Sequence, residues 1–212
     1  MKKLLPVFIP AFLFTTANAQ VKIGVKGGWS YTGTVAKYKE VKQSVSYLSG
    51  YGIGAMAKIP FDGVLHFSPS VMINKRGFAI NHPAGGSNKK EEYSMTYLDL
   101  MPALSTEFIK GNNAFSIGAG PVFGFTNFGK LKITDSTGNT GTQNLKFGYG
   151  AYGWFDLGLN ASLGCRFNKI ALEVSYYTGL ANINNKEESD GRNMQHRVCS
   201  ITLGYYFKET AH

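Results

Sequence analysis

The feature that most constrains this chain is a two-residue alternation repeated in eight segments. In "FDLGLNASLGCRF", Phe155, Leu157, Leu159, Ala161, Leu163, Cys165 and Phe167 alternate with Asp156, Gly158, Asn160, Ser162, Gly164 and Arg166. Successive side chains of a β-strand point to opposite faces, so this run predicts a strand with one greasy face and one polar face. The pattern recurs in "VKIGVKGGWSY", "SYLSGYGIGAMAKIPF", "VLHFSPSVMI", "YLDLMPALSTEF", "FSIGAGPVFGF", "IALEVSYYTG" and "CSITLGYYF". No stretch sustains a helical period, and 26 glycines fit an all-β chain.

The connections alternate in length. Short ones fall at Pro60–Gly63, Lys110–Asn113 and Asn168–Lys169. Long polar ones fall near 32–46, 79–92, 128–146 and 181–195. This predicts an eight-stranded antiparallel up-and-down transmembrane β-barrel, with short periplasmic turns, long extracellular loops and both termini on the short-turn side.

The direction of the greasy face follows from volume. A soluble barrel such as a lipocalin keeps its apolar phase inside, around a small apolar ligand. An eight-stranded interior is only just wide enough for its own side chains. Rows of phenylalanine and leucine overfill it, whereas glycine, serine and a few charged chains fit. The apolar phase is therefore expected to face lipid, and a closed barrel pairs its backbone groups where water is absent.

The inward phase carries Lys22, Lys26, Lys58, Asp99, Glu107, Asp156, Arg166 and Glu173. Opposite charges in a narrow lumen are expected to pair, because a lone buried ion is costly. The expected result is a filled, structural ion network rather than a metabolite pore. His66 reads as a single lumen side chain.

Residues 1–19 read as a secretory signal peptide. Lys2 and Lys3 precede the apolar run Leu4–Phe14, and Ala17-Asn18-Ala19 offers a small-residue cleavage site. The apolar run is shorter than the about 20 residues that a spanning helix needs. Residues 20–212 form one domain, and removal of Lys2 and Lys3 lowers the formal net charge from +9 to +7. The scattered lysines form no basic run, which argues against nucleic acid as a partner. Cys165 and Cys199 lie in separate strands as small hydrophobes and are not expected to form a bridge.

Catalysis at the loop rim would fall to His82, Ser87 and His196, whose spacing fits no nucleophile–base pattern. No set of residues points to a cofactor or a metal. Asp135–Gly141, "DSTGNTG", lacks the bidentate carboxylate of a calcium loop and reads as a turn. The loops, assigned Lys37, Lys39, Lys42, Lys75, Arg76, Lys89, Lys90, Lys130, Lys132 and Lys186 against Glu40, Glu91, Glu92, Glu187, Glu188 and Asp190, are expected to meet lipopolysaccharide phosphates or a protein partner of the envelope.

The chain resembles the small outer-membrane β-barrel proteins of Gram-negative bacteria, and among them the PorT-like group. The resemblance spans residues 20–212 and is carried by "VKIGVKGGWSYTG", "YLDLMPAL", "GAGPVFGF", "FDLGLNASLG", "EVSYYTGL" and "ITLGYYF". It implies an outer-membrane protein of structural or interacting role. It also implies a second possibility, an accessory to secretion and gliding machinery, while other small barrels that resemble this chain act as lipid-modifying enzymes. It further implies that Ile201, Leu203, Tyr205 and Phe207 form the signal read by the barrel insertion machinery, although "KETAH" follows Phe207.

Overall fold

Residues that alternate in this way have only one way to bury their polar phase and satisfy their backbone at once, which is to close a sheet on itself. The computed structural model describes residues 21–81, 88–185 and 191–208. Its strands are β1 (Lys22–Tyr38), β2 (Val41–Lys42), β3 (Ser44–Asp62), β4 (Leu65–Asn81), β5 (Asn88–Lys110), β6 (Asn113–Asp135), β7 (Thr140–Asn144), β8 (Phe155–Phe167), β9 (Ile170–Gly179) and β10 (Arg192–Lys208). Strands β1, β3, β4, β5, β6, β8, β9 and β10 each pair antiparallel with their neighbours in the chain, and β10 pairs back to β1 to close an eight-stranded ring. Strands β2 and β7 are short returns on β1 and β6.

The three short turns and the ends of β1 and β10 lie at one end of the barrel. Each turn contains one residue in the left-handed region: Gly63 (φ 52°), Gly111 (φ 59°) and Asn168 (φ 55°). Glycine and asparagine adopt that region at little cost.

The greasy phase faces outward. Leu159 is 50% exposed, Leu203 60% and Ile53 68%, whereas Asp156 on the opposite phase is 0% exposed. Such a surface suits hydrocarbon rather than water. No helix among the described residues is long and apolar enough to cross a membrane.

Much of what reads as long loop is strand. β1 runs on to Tyr38, β3 begins at Ser44, and β4, β5 and β6 reach Asn81, Asn88 and Asp135. The reason is a reversal of polarity along the wall. Beyond the lipid-facing band the inward phase becomes apolar, and Ala36, Phe78, Ile80, Tyr93, Met95, Leu131 and Met194 form a buried cluster inside the barrel. β8 and β9 stop lower, and the segments after β7 and β9 fold over the mouth on that side, adding Leu145, Tyr152 and Ile183 to the cluster. Gly153 N donates to Ile183 O and Ile183 N to Met194 O, which ties both segments to β10.

Prolines interrupt two ladders without shifting their register. β3 and β4 pair at Met56–Ser70 and resume at Ile59–Phe67, on either side of Pro69. β5 and β6 pair at Leu100–Phe123 and resume at Leu104–Ala119, on either side of Pro102 and Pro121. Proline has no N–H to give to a ladder. The β4–β5 ladder itself is unbroken, so these gaps loosen only the attachment of this hairpin to β3 and β6 at mid-height.

Candidate functional site

The lumen is where polar chemistry is concentrated, and it is built in layers. Near the short turns, Lys58 Nζ donates to Glu107 Oε1 at 2.6 Å, with Arg166 Nε 3.7 Å from Oε1 and His66 Nε2 3.8 Å from Oε2. Arg166 Nη1 also donates to Asn168 O at 2.9 Å, which fixes a neighbouring turn. Lys22 is half-buried at this mouth, opposite Lys58 across the β1–β3 ladder. One layer in, Lys26 Nζ lies 3.2 Å from Glu173 Oε1.

The next layer crosses the whole lumen and is centred on Arg76. Its Nη2 donates to Asp99 Oδ1 at 2.6 Å and its Nη1 to Asp156 Oδ2 at 2.8 Å. The guanidinium lies 4.5 Å from the ring centroids of both Tyr97 and Tyr177, a cation–π contact on each. Tyr177 Oη donates to Asp156 Oδ2 at 2.7 Å, and Asn74 Nδ2 to Asp99 Oδ2 at 2.6 Å. His196 Nε2 is 3.2 Å from Tyr97 Oη.

The expected lumen set of Lys22, Lys26, Lys58, Asp99, Glu107, Asp156, Arg166 and Glu173 thus falls inside the barrel, distributed over three layers. Arg76 is the residue that sequence reasoning misplaced. It was assigned to the solvated loops with Lys75, yet it shares the inward phase of His66, Ser68, Ser70, Met72 and Asn74 and is 4% exposed. Counting that phase onward from His66 would have found it. Glu91 was also assigned outside. It is 6% exposed within the outer mouth, where its Oε2 accepts from Arg192 Nη1 at 2.7 Å and Tyr93 Oη at 2.9 Å.

His196 does not stand at a rim. It is 0% exposed, packed edge-on to Phe78 and Tyr97. His82 and Ser87, and the signal-peptide residues Ala17 and Ala19, lie outside the described residues. Cys165 and Cys199 are free. Ile201, Leu203, Tyr205 and Phe207 point outward on β10, all at least 44% exposed.

Between the layers lie three cavities of about 60, 40 and 60 Å³, and Lys26 and Glu173 line all three. A water needs at least about 10–15 Å³ on this measure, so each cavity has room for a few waters. Small-molecule sites measure roughly 300–1,000 Å³. Among the described residues, no group of three or more His, Cys, Asp or Glu is placed to hold a metal ion.

An apolar outer wall, a packed and ion-paired lumen, and short turns at one end against tall strands at the other define a small transmembrane β-barrel of the outer-membrane kind. The sequence agrees: residues 16–185 match the family described as "Outer membrane protein beta-barrel domain", and the chain belongs to that family. No curated protein matches the sequence. Among solved structures the chain is similar to Ail, the attachment invasion locus protein of Yersinia pestis, in complex with the heparin analogue sucrose octasulfate. That likeness has 14% identity, covers 89% of this chain and 99% of that one, and has a TM-score of 0.42. Neisserial surface protein A gives 11% identity over 87% and 97%, with a TM-score of 0.41. The outer membrane protein AlkL gives 13% identity over 100% and 99%, with a TM-score of 0.38.

Proposed function

We propose that this barrel is a non-catalytic structural and interaction protein of the cell envelope, with its tall outer end as the working surface. The observation that carries the reading is the obstructed lumen. The Arg76–Asp99–Asp156 layer spans it, the Lys58–Glu107–Arg166 layer fills its lower end, and an apolar cluster closes its mouth. A lumen filled in this way offers no route for a metabolite, which leaves the outside of the barrel to do the work. The test is single-channel recording of the purified barrel in planar bilayers. The expected result is no steady conductance, and a stable open level would overturn the reading.

Export through a signal peptide cleaved after Ala19 belongs to the same proposal, as does recognition of Ile201, Leu203, Tyr205 and Phe207 by the insertion machinery. Amino-terminal sequencing of protein from native outer membranes should begin at Gln20, and Phe207→Ala should slow insertion. The PorT-like form of the reading makes the protein an accessory of secretion machinery. Recovery of secretion components with it from mildly solubilised membranes supports that form, and their absence removes it.

A further inference from the structure

The short strand β7 carries an open edge at the outer end of the barrel. Leu145 N donates to Gly129 O at one end of the β6–β7 ladder, and Asp135 N to Asn139 O at the other. The register between them makes Leu131–Gln143 and Ile133–Gly141 the pairs that exchange backbone hydrogen bonds, because bonded pairs alternate along an antiparallel ladder. The N–H and C=O groups of Thr140, Thr142 and Asn144 therefore point away from β6. β7 lies on the same side of β6 as β8, so these groups face the space left open where β9 stops at Gly179.

No strand among the described residues pairs with that side of β7. All five of its residues are exposed, and a Cβ added at Gly141 would meet nothing within 4 Å. The opposite border of the gap is closed. On β10, Met194 O accepts from Ile183 N, Met194 N donates to Asn182 Oδ1, and Arg192 O accepts from Asn184 Nδ2. Edge strands are usually protected by lysine, proline or a bulge. Thr140–Asn144, "TGTQN", has no charge and no proline, and its register does not shift.

The geometry of the edge selects its ligand. Backbone donors and acceptors recurring about every 6.8 Å are matched by another extended polypeptide strand. The side chains around the edge select its composition. Thr142 pairs across the ladder with Lys132 and Asn144 with Lys130, and both lysines are exposed. Glu92, opposite Lys132 on β5, is engaged by Lys90 at 2.6 Å. In an antiparallel strand added beside β7, the residues bonded to Thr140, Thr142 and Asn144 would share the face of those lysines. Their Cα atoms would lie about 9.6 Å from the lysine Cα atoms, within reach of a lysine and a carboxylate side chain together.

We infer that the β7 edge docks an extended segment of a partner protein as an added antiparallel strand, with acidic side chains at alternate positions. The inference rests on the reading of the outer end as the working surface and names the kind of partner that surface takes.

The test uses the full barrel in phosphatidylcholine nanodiscs and a peptide of about nine residues that alternates glutamate with threonine. On binding, the amides of Thr140, Thr142 and Asn144 should gain at least about tenfold protection from hydrogen exchange, while those of Gly141 and Gln143, already bonded to β6, stay within about twofold. N-methylation at the glutamates removes the N–H groups that face β7 and should weaken binding by at least about tenfold. N-methylation at the threonines, whose N–H groups face away, should leave it within about twofold. The two methylated peptides carry the same charge, so equal affinities, or the reverse order, would overturn the proposed pairing. A peptide with lysine in place of glutamate should bind at least about tenfold more weakly, and equal binding would overturn the acidic preference. Protection of the same three amides without peptide, rising with barrel concentration, would reassign the edge to a second copy of the chain. If the glutamate peptide does not bind while the barrel still lacks conductance, the edge site fails and the wider reading stands.

Discussion

Replacing Arg76 tests the lumen most severely. Arg76→Met keeps a comparable volume and removes the one cation shared by Asp99 and Asp156, which are 1% and 0% exposed. Each carboxylate keeps a neutral side-chain donor, Asn74 for Asp99 and Tyr177 for Asp156. Removing one member of a buried ion pair costs roughly 3–5 kcal/mol, because the partner's charge is left uncompensated. Against a usual folding stability of about 5–15 kcal/mol, that brings the barrel close to its limit. Arg76→Lys keeps the charge but cannot fork to both carboxylates, and should cost one charge-assisted hydrogen bond, about 1.5–3 kcal/mol. The combined variant Arg76→Met, Asp99→Asn, Asp156→Asn should recover most of the loss, since no charge is then left unpaired in this layer. Urea unfolding from lipid vesicles, followed by the fluorescence of Trp29 and Trp154, measures all three. A loss below about 1 kcal/mol for Arg76→Met, or no recovery in the combined variant, would refute the argument that this layer is held by its charge balance.

Leu159→Arg, on the lipid face, should cost about 2–4 kcal/mol, and Asn160→Arg, whose side chain lines lumen cavities, distinctly less; equal losses in the vesicle assay would mean that the two faces are not as assigned. Gly28→Ala should destabilise by about 1–3 kcal/mol, because a Cβ there runs into the Ile201 carbonyl across the closing β1–β10 ladder. A heat-dependent gel shift unchanged from the parent protein would count against that closure. The Asp135 turn should outlast mild acid. Hydrogen bonds from Thr137, foremost its hydroxyl, and from Asn139 hold the Asp135 carboxyl below its ordinary pKa. A lowered pKa contributes stability that is present above the unfolded value and lost as pH falls through the folded one. The Thr137 and Asn139 amide shifts should therefore hold through about pH 4 and move only below it.

The strands and their facing were legible because both are set by a period of two, which survives any detail of packing. The ion-paired lumen was legible for the same reason: Asp99, Glu107, Asp156 and Glu173 sit in phase within runs that are plainly strand. Arg76 was not, because "INKRG" reads as a polar exit from the membrane and the apolar alternation ends at Ile73. His196 was hidden in the same way. It lies in β10 ahead of the first lipid-facing residues, in a stretch whose outward neighbours, Gln195 and Arg197, are polar. What failed was the assumption that a strand ends where its greasy face ends.

β4 shows why that assumption fails. Its outward residues pass from Val71 and Ile73 to Lys75, while its inward ones pass from Ser70, Asn74 and Arg76 to Phe78 and Ile80. Below the crossover the solvent outside is hydrocarbon, so apolar atoms gain nothing by leaving it, and the lumen is filled by hydrogen bonds and ion pairs. Above it the solvent is water, and burying Phe78, Tyr93, Met95 and Met194 is driven by the ordinary hydrophobic effect. One continuous wall therefore encloses two cores held by different forces, with the Arg76 layer at their junction. Urea weakens the upper core directly, whereas the lower one is shielded by lipid. Fluorescence of Trp154, next to the segments that close the mouth, should accordingly change at lower urea than that of Trp29 on the β1 wall, each read in a variant with the other replaced by Phe. A single shared midpoint would mean that the two cores unfold as one.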